Sequence, residues 1–200
     1  MASTIPAGIP QAMPVMPARL SRASKLDGFQ ECDTQPLFYR ARVAVGAIGA
    51  LGKLDFFTQK KNAAPHLTNC EEAGSMPNTS GFMVAGIELV PNANCTAAAF
   101  KAMLASCRLM IEVGTKGIEK INQPAVFFGA SNHTGAADNT ATIKTGIYRL
   151  NPGEEISLEP DQPFRIYLQA DDAGFTVANG EVLDFYIKLW GQKRGRVSLG

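Results

Sequence analysis

Short segments in which large apolar residues alternate with polar or small ones recur between residues 37 and 192. This period of two is typical of β-strands that bury one face. No repeated helices alternate with these segments, so a parallel α/β sheet is not indicated. Roughly eight to ten short strands predict an all-β fold, either an antiparallel β-sandwich or a single jelly roll. The segments are LFYRARVAVGAIG, KLDFFTQKK, GFMVAGIELVP, LMIEVGTKGIEKINQ (a hairpin), AVFFGA, TIKTGIYRLNP, EEISLEP, PFRIYLQAD and EVLDFYIKLWGQ.

One window has helical character instead. Alanines are frequent in residues 95–107. The larger apolar residues recur at spacings of three and four, at Phe100, Met103, Leu104 and Cys107. Asn94 or Thr96 is suited to cap the first turn. The pattern predicts one helix inserted into the strand series.

Composition limits the classes of partner. The chain has 200 residues, of which 46% are hydrophobic and 18% are charged, with a net charge of +1. This length suits one domain, and no bulk charge attracts it to nucleic acid or to anionic lipid. Most aromatic residues lie within strand segments, so we expect them in the core rather than on base-stacking platforms. The few charges suit a surface that is buried between copies of the chain.

The two ends differ from the middle in composition. Residues 1–30 are predicted to be an extended arm, residues 31–192 the sandwich domain, and residues 193–200 a basic tail with Lys193, Arg194 and Arg196. Regularly spaced prolines favour a polyproline-like path for the arm, and we expect it to gain order on a neighbouring subunit. The residues assigned to this assembly role are Pro6, Pro10, Pro14, Pro17, Arg19, Arg22 and Lys25.

Four cysteines are widely spread, without a CxxC pair, at Cys32, Cys70, Cys95 and Cys107. Metal clusters and thioredoxin-like redox sites both require closely spaced pairs. Free buried cysteine commonly acts as a small hydrophobic residue. The sequence therefore favours reduced structural thiols over disulfides.

The stretch LNPGEEISLEPDQPFRIYL contains four carboxylates, Glu154, Glu155, Glu159 and Asp161. A glycosidase would need two of them on opposite sides of a cleft, but Glu154 and Glu155 are adjacent and would point to opposite faces of a strand. The flanking proline and glycine residues indicate turns. We interpret the acids as turn residues of a meander, and predict that the alternate residues Ile156, Leu158, Phe164, Ile166 and Leu168 face the core.

Other candidate chemistries have little support in the sequence. The two histidines, His66 and His133, lie in polar loops, whereas a cupin-type metal site needs several histidines on facing strands. Calcium could use Asp171, Asp172, Asp138 and Asn139, but their spacing matches no calcium loop. No nucleophile elbow, phosphate-binding loop or HExxH motif is present. We therefore predict no catalysis, no metal, no cofactor and no small-molecule substrate.

The layout resembles that of a single jelly-roll capsid protein of a tailless icosahedral bacterial virus with an internal membrane. The resemblance rests on the proline-rich arm, on strands such as LFYRARVAV and GFMVAGIELV, on the inserted helix CTAAAFKAMLASC, and on the terminal series TGIYRL, ISLEP, FRIYLQA and VLDFYIKLWG. It implies a structural virion protein that assembles with itself and with other capsid proteins. It also implies a location in the virion after synthesis in the host cytoplasm, and contact of the arm or tail with a membrane or genome.

Two alternatives stay open at this point. The first is a carbohydrate- or receptor-binding jelly roll, such as a viral spike, that uses loops 60–80 and 130–141; these loops contain no Trp or Tyr. The second is an enzyme on the same fold, which would require a metal or a pair of carboxylates.

Overall fold

The computed structural model describes residues 29–33, 35–43, 46–48, 52–129, 132–133, 143–144, 147–171 and 174–196. The seven residues assigned to the arm, Pro6 to Lys25, lie outside this part of the chain. The described part contains one α-helix, α1 (Ala97–Ser106), one 3₁₀ helix (Ala125–Phe127) and fourteen strands. The strands are β1 (Phe29–Asp33), β2 (Leu37–Val43), β3 (Gly46–Ile48), β4 (Lys53–Phe56), β5 (Ser80–Pro91), β6 (Cys107–Val113), β7 (Ile118–Pro124), β8 (Asn132–His133), β9 (Ile143–Lys144), β10 (Tyr148–Arg149), β11 (Ile156–Leu158), β12 (Phe164–Ala170), β13 (Phe175–Val177) and β14 (Leu183–Arg196).

The larger sheet is organised around β14, the longest strand. One edge of β14 pairs with β2 along residues 183–189 and with β1 along residues 193–196. The other edge pairs with β5, which pairs in turn with β10 and β11. All these pairings are antiparallel, so the sheet is four strands wide, and both of its outer positions are filled by two short strands in succession.

The smaller sheet has the order β4–β12–β6–β7, and its strands are also antiparallel. Strands β3 and β13 form a separate two-stranded ladder, as do β8 and β9. The hairpin predicted around residues 114–117 is confirmed, because β6 and β7 flank this turn and Gly114 and Gly117 both have positive φ.

The core lies between the two sheets. Every second residue of β14 from Leu183 to Leu189 is buried, and the same holds for Phe164, Ile166 and Leu168 of β12. The rings of Phe56 and Phe185 meet edge to face across the gap, with centroids 5.9 Å apart. About half of the described residues lie in strands, so the predicted all-β, antiparallel sandwich is confirmed at this level.

Helix α1 confirms the helix predicted at residues 95–107. It buries Ala99, Phe100, Met103 and Leu104, and the Phe100 ring packs 6.0 Å from that of Phe185. Thr96 occupies the N-cap position but makes no side-chain capping bond, because its hydroxyl donates to the carbonyl oxygen of Val182 instead. The helix is therefore fixed to the sandwich by packing and by this side-chain contact.

Two local predictions are wrong. In the segment AVFFGA, predicted as a short buried strand, residues 125–128 form the 3₁₀ helix and a turn, and Val126 and Phe127 are exposed. Pro124 ends β7 because it has no N–H for a ladder, and the tight turn brings Phe128 inward against Tyr148, with ring centroids 4.7 Å apart.

The predicted meander is also wrong, although its turns are present. Strands β10 and β11 both pair with β5, so residues 151–155 interrupt one continuous edge of the larger sheet. The second turn, at residues 159–163, carries the chain to the other sheet, where β12 begins. Local turn signals locate a chain reversal but do not say which strand the next segment joins.

The sandwich extends beyond the predicted domain boundaries at both ends. Residues 29 and 30, assigned to the arm, belong to β1, and residues 193–196, assigned to the tail, belong to β14. The two segments pair with each other, so each is ordered by a partner that is distant in sequence.

Candidate interaction surfaces

The four acids predicted as turn residues do lie in turns. The Asn151 amide donates to Glu154 Oε2 over 2.8 Å, and the backbone N–H of Gly153 donates to Glu155 Oε2 over 2.7 Å. Glu159 accepts a hydrogen bond from the Ser157 hydroxyl. Asp161 is exposed and has a positive φ of 58°. These carboxylates satisfy turn groups, and the predicted core residues Ile156, Leu158, Phe164, Ile166 and Leu168 are all buried, as expected.

The metal candidates divide between described and undescribed residues. His66 is exposed in a loop, whereas the side chain of His133 and residues Asp138, Asn139 and Asp172 lie outside the description. Within the described residues, no group of three or more His, Cys, Asp or Glu side chains is placed to hold a metal ion. The described part also contains no helix with the length and apolar character needed to cross a membrane.

Three cysteines are free and buried, Cys70, Cys95 and Cys107, which confirms the predicted reduced thiols at these positions. Burial raises the pKa of Cys70 to about 11 and that of Cys107 to about 12. Thiolates are the reactive form, so these groups are chemically quiet near neutral pH. The side chain of Cys32 is outside the description.

Two residues of the predicted basic tail make contacts within the sandwich. Lys193 Nζ lies 2.8 Å from Glu71 Oε1, and Arg194 Nη2 lies 3.0 Å from the sulfur of Met83. The side chain of Arg196 is outside the description. Lys193 and Arg194 are therefore engaged with loop 60–80 and with β5.

The outer surface of the larger sheet follows from strand alternation. Leu183, Phe185, Ile187 and Leu189 of β14 face the core, so the residues between them face outward. On β2, the buried residues Leu37, Tyr39 and Ala41 likewise leave their neighbours on the outer side. We call the resulting group the aromatic–basic face: Phe38, Arg40, Arg42, Tyr186, Lys188 and Trp190.

The pairing register places aromatic and basic residues next to one another. Arg40 is opposite Tyr186, and its guanidinium carbon lies 5.8 Å from the ring centroid. Phe38 is opposite Lys188 and packs edge to face on Tyr186, with centroids 6.1 Å apart. Lys188 Nζ is 5.9 Å from the ring of Trp190. Phe38, Tyr186 and Trp190 are all partly exposed.

Two acids lie on the same outer side of the sheet but are covered: Asp184 is opposite Arg42 and Glu88 is opposite Lys188. Asp184 is buried and accepts hydrogen bonds from Nε and Nη2 of Arg40, with the Nε bond at 2.8 Å. Hydrogen bonding to Arg40 holds the pKa of Asp184 below its usual value. Glu88 is also buried and accepts a hydrogen bond of 2.9 Å from Nε1 of Trp190. The acids thus fix the orientation of Arg40 and Trp190 while their own charges stay covered.

The outer surface of the smaller sheet is organised differently. Tyr167 is buried there, its hydroxyl donates to Glu112 over 2.6 Å, and Lys53 Nζ lies 4.3 Å from its ring centroid. Burial and the bond to Glu112 raise the pKa of Tyr167 to about 12. Arg165 pairs with Asp55 at 2.8 Å. Because these charges are mixed and the ring is covered, this surface presents no open aromatic platform.

Exposed apolar side chains occur on the sandwich as well. Val126 and Phe127 are adjacent in the 3₁₀ helix and are 49% and 55% exposed, and Ile118 at the start of β7 is 56% exposed. Isolated exposed apolar residues are ordinary, but an adjacent pair on a rigid turn is a candidate contact point.

No protein-family model, no curated protein and no solved structure matches the chain. Any function therefore has to be argued from the fold and from the surfaces described above.

Sequence reasoning missed the aromatic–basic face. The sequence predicts most strand aromatics in the core. However, Tyr186 and Trp190 alternate with the core residues Phe185 and Leu189, so they lie on the same side of the strand as Lys188. This alternation is the feature of the sequence that indicates the face. The alternation also places Asp184 on this side, but it does not show that Asp184 and Glu88 are buried, because Glu88 lies on another strand and the Arg40 that covers Asp184 is distant in sequence.

Proposed function

We propose that the chain is a non-catalytic structural subunit that self-assembles into capsomers of the icosahedral shell of a tailless virus. The observation that carries the proposal is the pairing order of eight principal strands. In chain order these are β2, β4, β5, β6, β7, the β10–β11 edge, β12 and β14. The first pairs with the eighth, the second with the seventh, the third with the sixth, and the fourth with the fifth.

This order describes one long antiparallel hairpin wrapped so that its strands divide between two sheets. The wrapping adds the contacts β14–β5 and β12–β6. Two four-stranded sheets paired in this order support our proposal that the sandwich is a jelly roll, a fold used by viral capsid proteins and by lectin-like domains. The fold agrees with the layout resemblance, although a fold by itself does not establish a function.

The arm supplies the second line of support. Strand β1 is anchored on β14, so 28 residues precede the sandwich. In a polyproline-like conformation they would span roughly 85 Å, whereas a domain of this size is about 40 Å across. Residues 1–28 are therefore long enough to reach a neighbouring subunit, and we propose that they contact subunits, the genome or a membrane beneath the shell.

Val126 and Phe127 offer a compact apolar contact in the same assembly. Core contacts of protein interfaces are enriched in aromatic side chains and poor in charge. We propose that this pair is covered in the assembled particle, in which case Val126→Ser with Phe127→Ser weakens assembly without unfolding the sandwich.

The test is to compare the full chain with a variant that lacks residues 1–28, using light scattering and negative-stain images. We expect discrete oligomers or shells from the full chain and smaller species from the variant. Thermal unfolding is the control, because the deletion stops before β1 and should leave the sandwich intact. A strictly monomeric full chain, or identical particles from both proteins, would overturn the proposal.

A further inference from the structure

We propose that the aromatic–basic face binds single-stranded nucleic acid. This function is separate from assembly and uses neither the arm nor the basic tail. It rests on three properties of the face: oriented aromatic rings, cations that reach solvent, and acids whose side chains are buried.

The rings meet the requirement for base stacking. Nε1 of Trp190 is held by buried Glu88 at 2.9 Å, so the indole is oriented before any ligand arrives. Tyr186 is supported by Phe38, with centroids 6.1 Å apart. Tyr186 and Trp190 are four residues apart on one face of a strand, or about 13 Å. Two fixed platforms at this separation suit bases that are not adjacent in an extended strand, since stacking accepts any base.

Charge on the face has one sign at the surface. Arg42 is exposed, and Arg40 and Lys188 are partly exposed. Asp184 and Glu88 are opposite Arg42 and Lys188 in the register, and Asp184 is ion-paired with Arg40, but the two acids are only 1% and 3% exposed, so the cations are the charged groups that reach solvent. A further exposed cation, Arg149, is paired in register with Gly86 on the neighbouring part of the sheet.

Both sets of groups together favour nucleic acid over other occupants. Anionic lipid headgroups would use the cations but not the oriented rings, and a neutral glycan would use the rings but not the cations. The arm of another copy is disfavoured, because Arg19, Arg22 and Lys25 are basic and no acid precedes Asp27. A single strand offers phosphates for the cations and bases for the rings.

The chain contains one tryptophan, so its fluorescence reports directly on this face. We would titrate the full chain with an oligothymidylate of about twenty nucleotides, from about 50 to 200 mM salt. We expect quenching of Trp190 and an affinity that falls with salt. Each phosphate contact contributes a slope of about −0.7 in a plot of log affinity against log salt.

The principal variant is Arg42→Gln with Arg149→Gln, because both side chains are exposed and their loss leaves the core untouched. We expect binding at least about tenfold weaker and a salt slope smaller in magnitude by about 1.4. The matched control is Lys120→Gln, an exposed lysine on β7 of the other sheet, with affinity unchanged. Tyr186→Ala should weaken binding by about 5- to 150-fold, measured with a labelled oligonucleotide.

Three outcomes overturn the proposal. The first is no quenching at about 100 µM oligonucleotide, the weak limit of typical non-specific affinity. The second is quenching by a neutral glucan without any response to the oligonucleotide. The third is equal loss of binding in Lys120→Gln and in the double variant, which would assign binding to the general charge of the protein. None of these results bears on particle formation, which light scattering measures separately.

Discussion

Replacing Arg40 should lower the stability of the protein much more than replacing its ion-pair partner Asp184. The Asp184 side chain is 2% exposed, whereas the Arg40 side chain is 25% exposed. Removing one partner of a buried pair typically costs about 3–5 kcal/mol, because the other charge loses its compensation. In Arg40→Met, the Asp184 carboxylate keeps the Asn92 amide at 3.1 Å but loses both bonds to the guanidinium. In Asp184→Asn, Arg40 can still reach water.

We therefore expect Arg40→Met to lower the free energy of unfolding by about 3–4 kcal/mol and Asp184→Asn by about 1–2 kcal/mol. The pH dependence follows from the lowered pKa of Asp184. A depressed carboxyl pKa stabilises the folded state above the unfolded value of about 3.9, and this contribution is lost as the pH falls through the folded value. The difference in the free energy of unfolding between the wild type and Arg40→Met should thus become smaller in acid.

Urea unfolding followed by circular dichroism measures both effects, at about pH 7 and about pH 3. Lys60→Met is the control, because Lys60 and Glu72 are both about half exposed at a separation of 4.0 Å. Exposed pairs of this kind contribute at most about 1 kcal/mol. The reasoning is refuted if Asp184→Asn costs as much as Arg40→Met, or if the difference between the wild type and Arg40→Met is the same at both pH values.

Three further experiments test the fold. Ile166→Asp should abolish folding because it buries a charge at a position with 0% exposure, whereas Glu154→Ala in its exposed turn should change the urea midpoint little; equal effects would contradict the assigned faces. Gly191→Ala would place a methyl group 1.8 Å from a backbone oxygen of β5, so we expect the free energy of unfolding to fall by about 3 kcal/mol or more. Gly153→Ala should cost about 1 kcal/mol, because Gly153 has a positive φ but open space around it. In native protein at about pH 8, Cys107 should react with a thiol reagent only after unfolding, and fast labelling would disprove its burial.

Much of the fold could be predicted from alternation. The period of two located the strands, and it placed Ile166 and Leu168 on the core side, because one face of each strand has to exclude water. The 3₁₀ helix at residues 125–127 was missed, since a short apolar run has no period that separates a strand from a turn. The shared edge formed by β10 and β11 was missed for another reason: partner choice depends on contacts distant in sequence.

Strand β14 shows why the remaining surfaces needed the structure. Its sequence from Leu183 to Trp190 gives the parity of every side chain, and hence which residues point outward. Parity does not say what lies on the neighbouring strands, so the sequence could not show that Glu88 orients the Trp190 indole or that Phe38 supports Tyr186. Preorganisation of the face arises from register, which is a property of the whole sheet.

The same strand also allows fold and function to be tested independently. Inward residues such as Phe185 and Ile187 contact only the core, so their substitution should lower stability. Outward residues such as Lys188 lie on the face that we propose for nucleic acid, so their substitution should lower binding with much smaller effects on unfolding. Because the two sets alternate along one backbone, general damage to β14 would reduce both properties at once. If inward substitutions lower stability and outward substitutions lower binding, binding is located on the outer surface of the sheet rather than elsewhere on the chain.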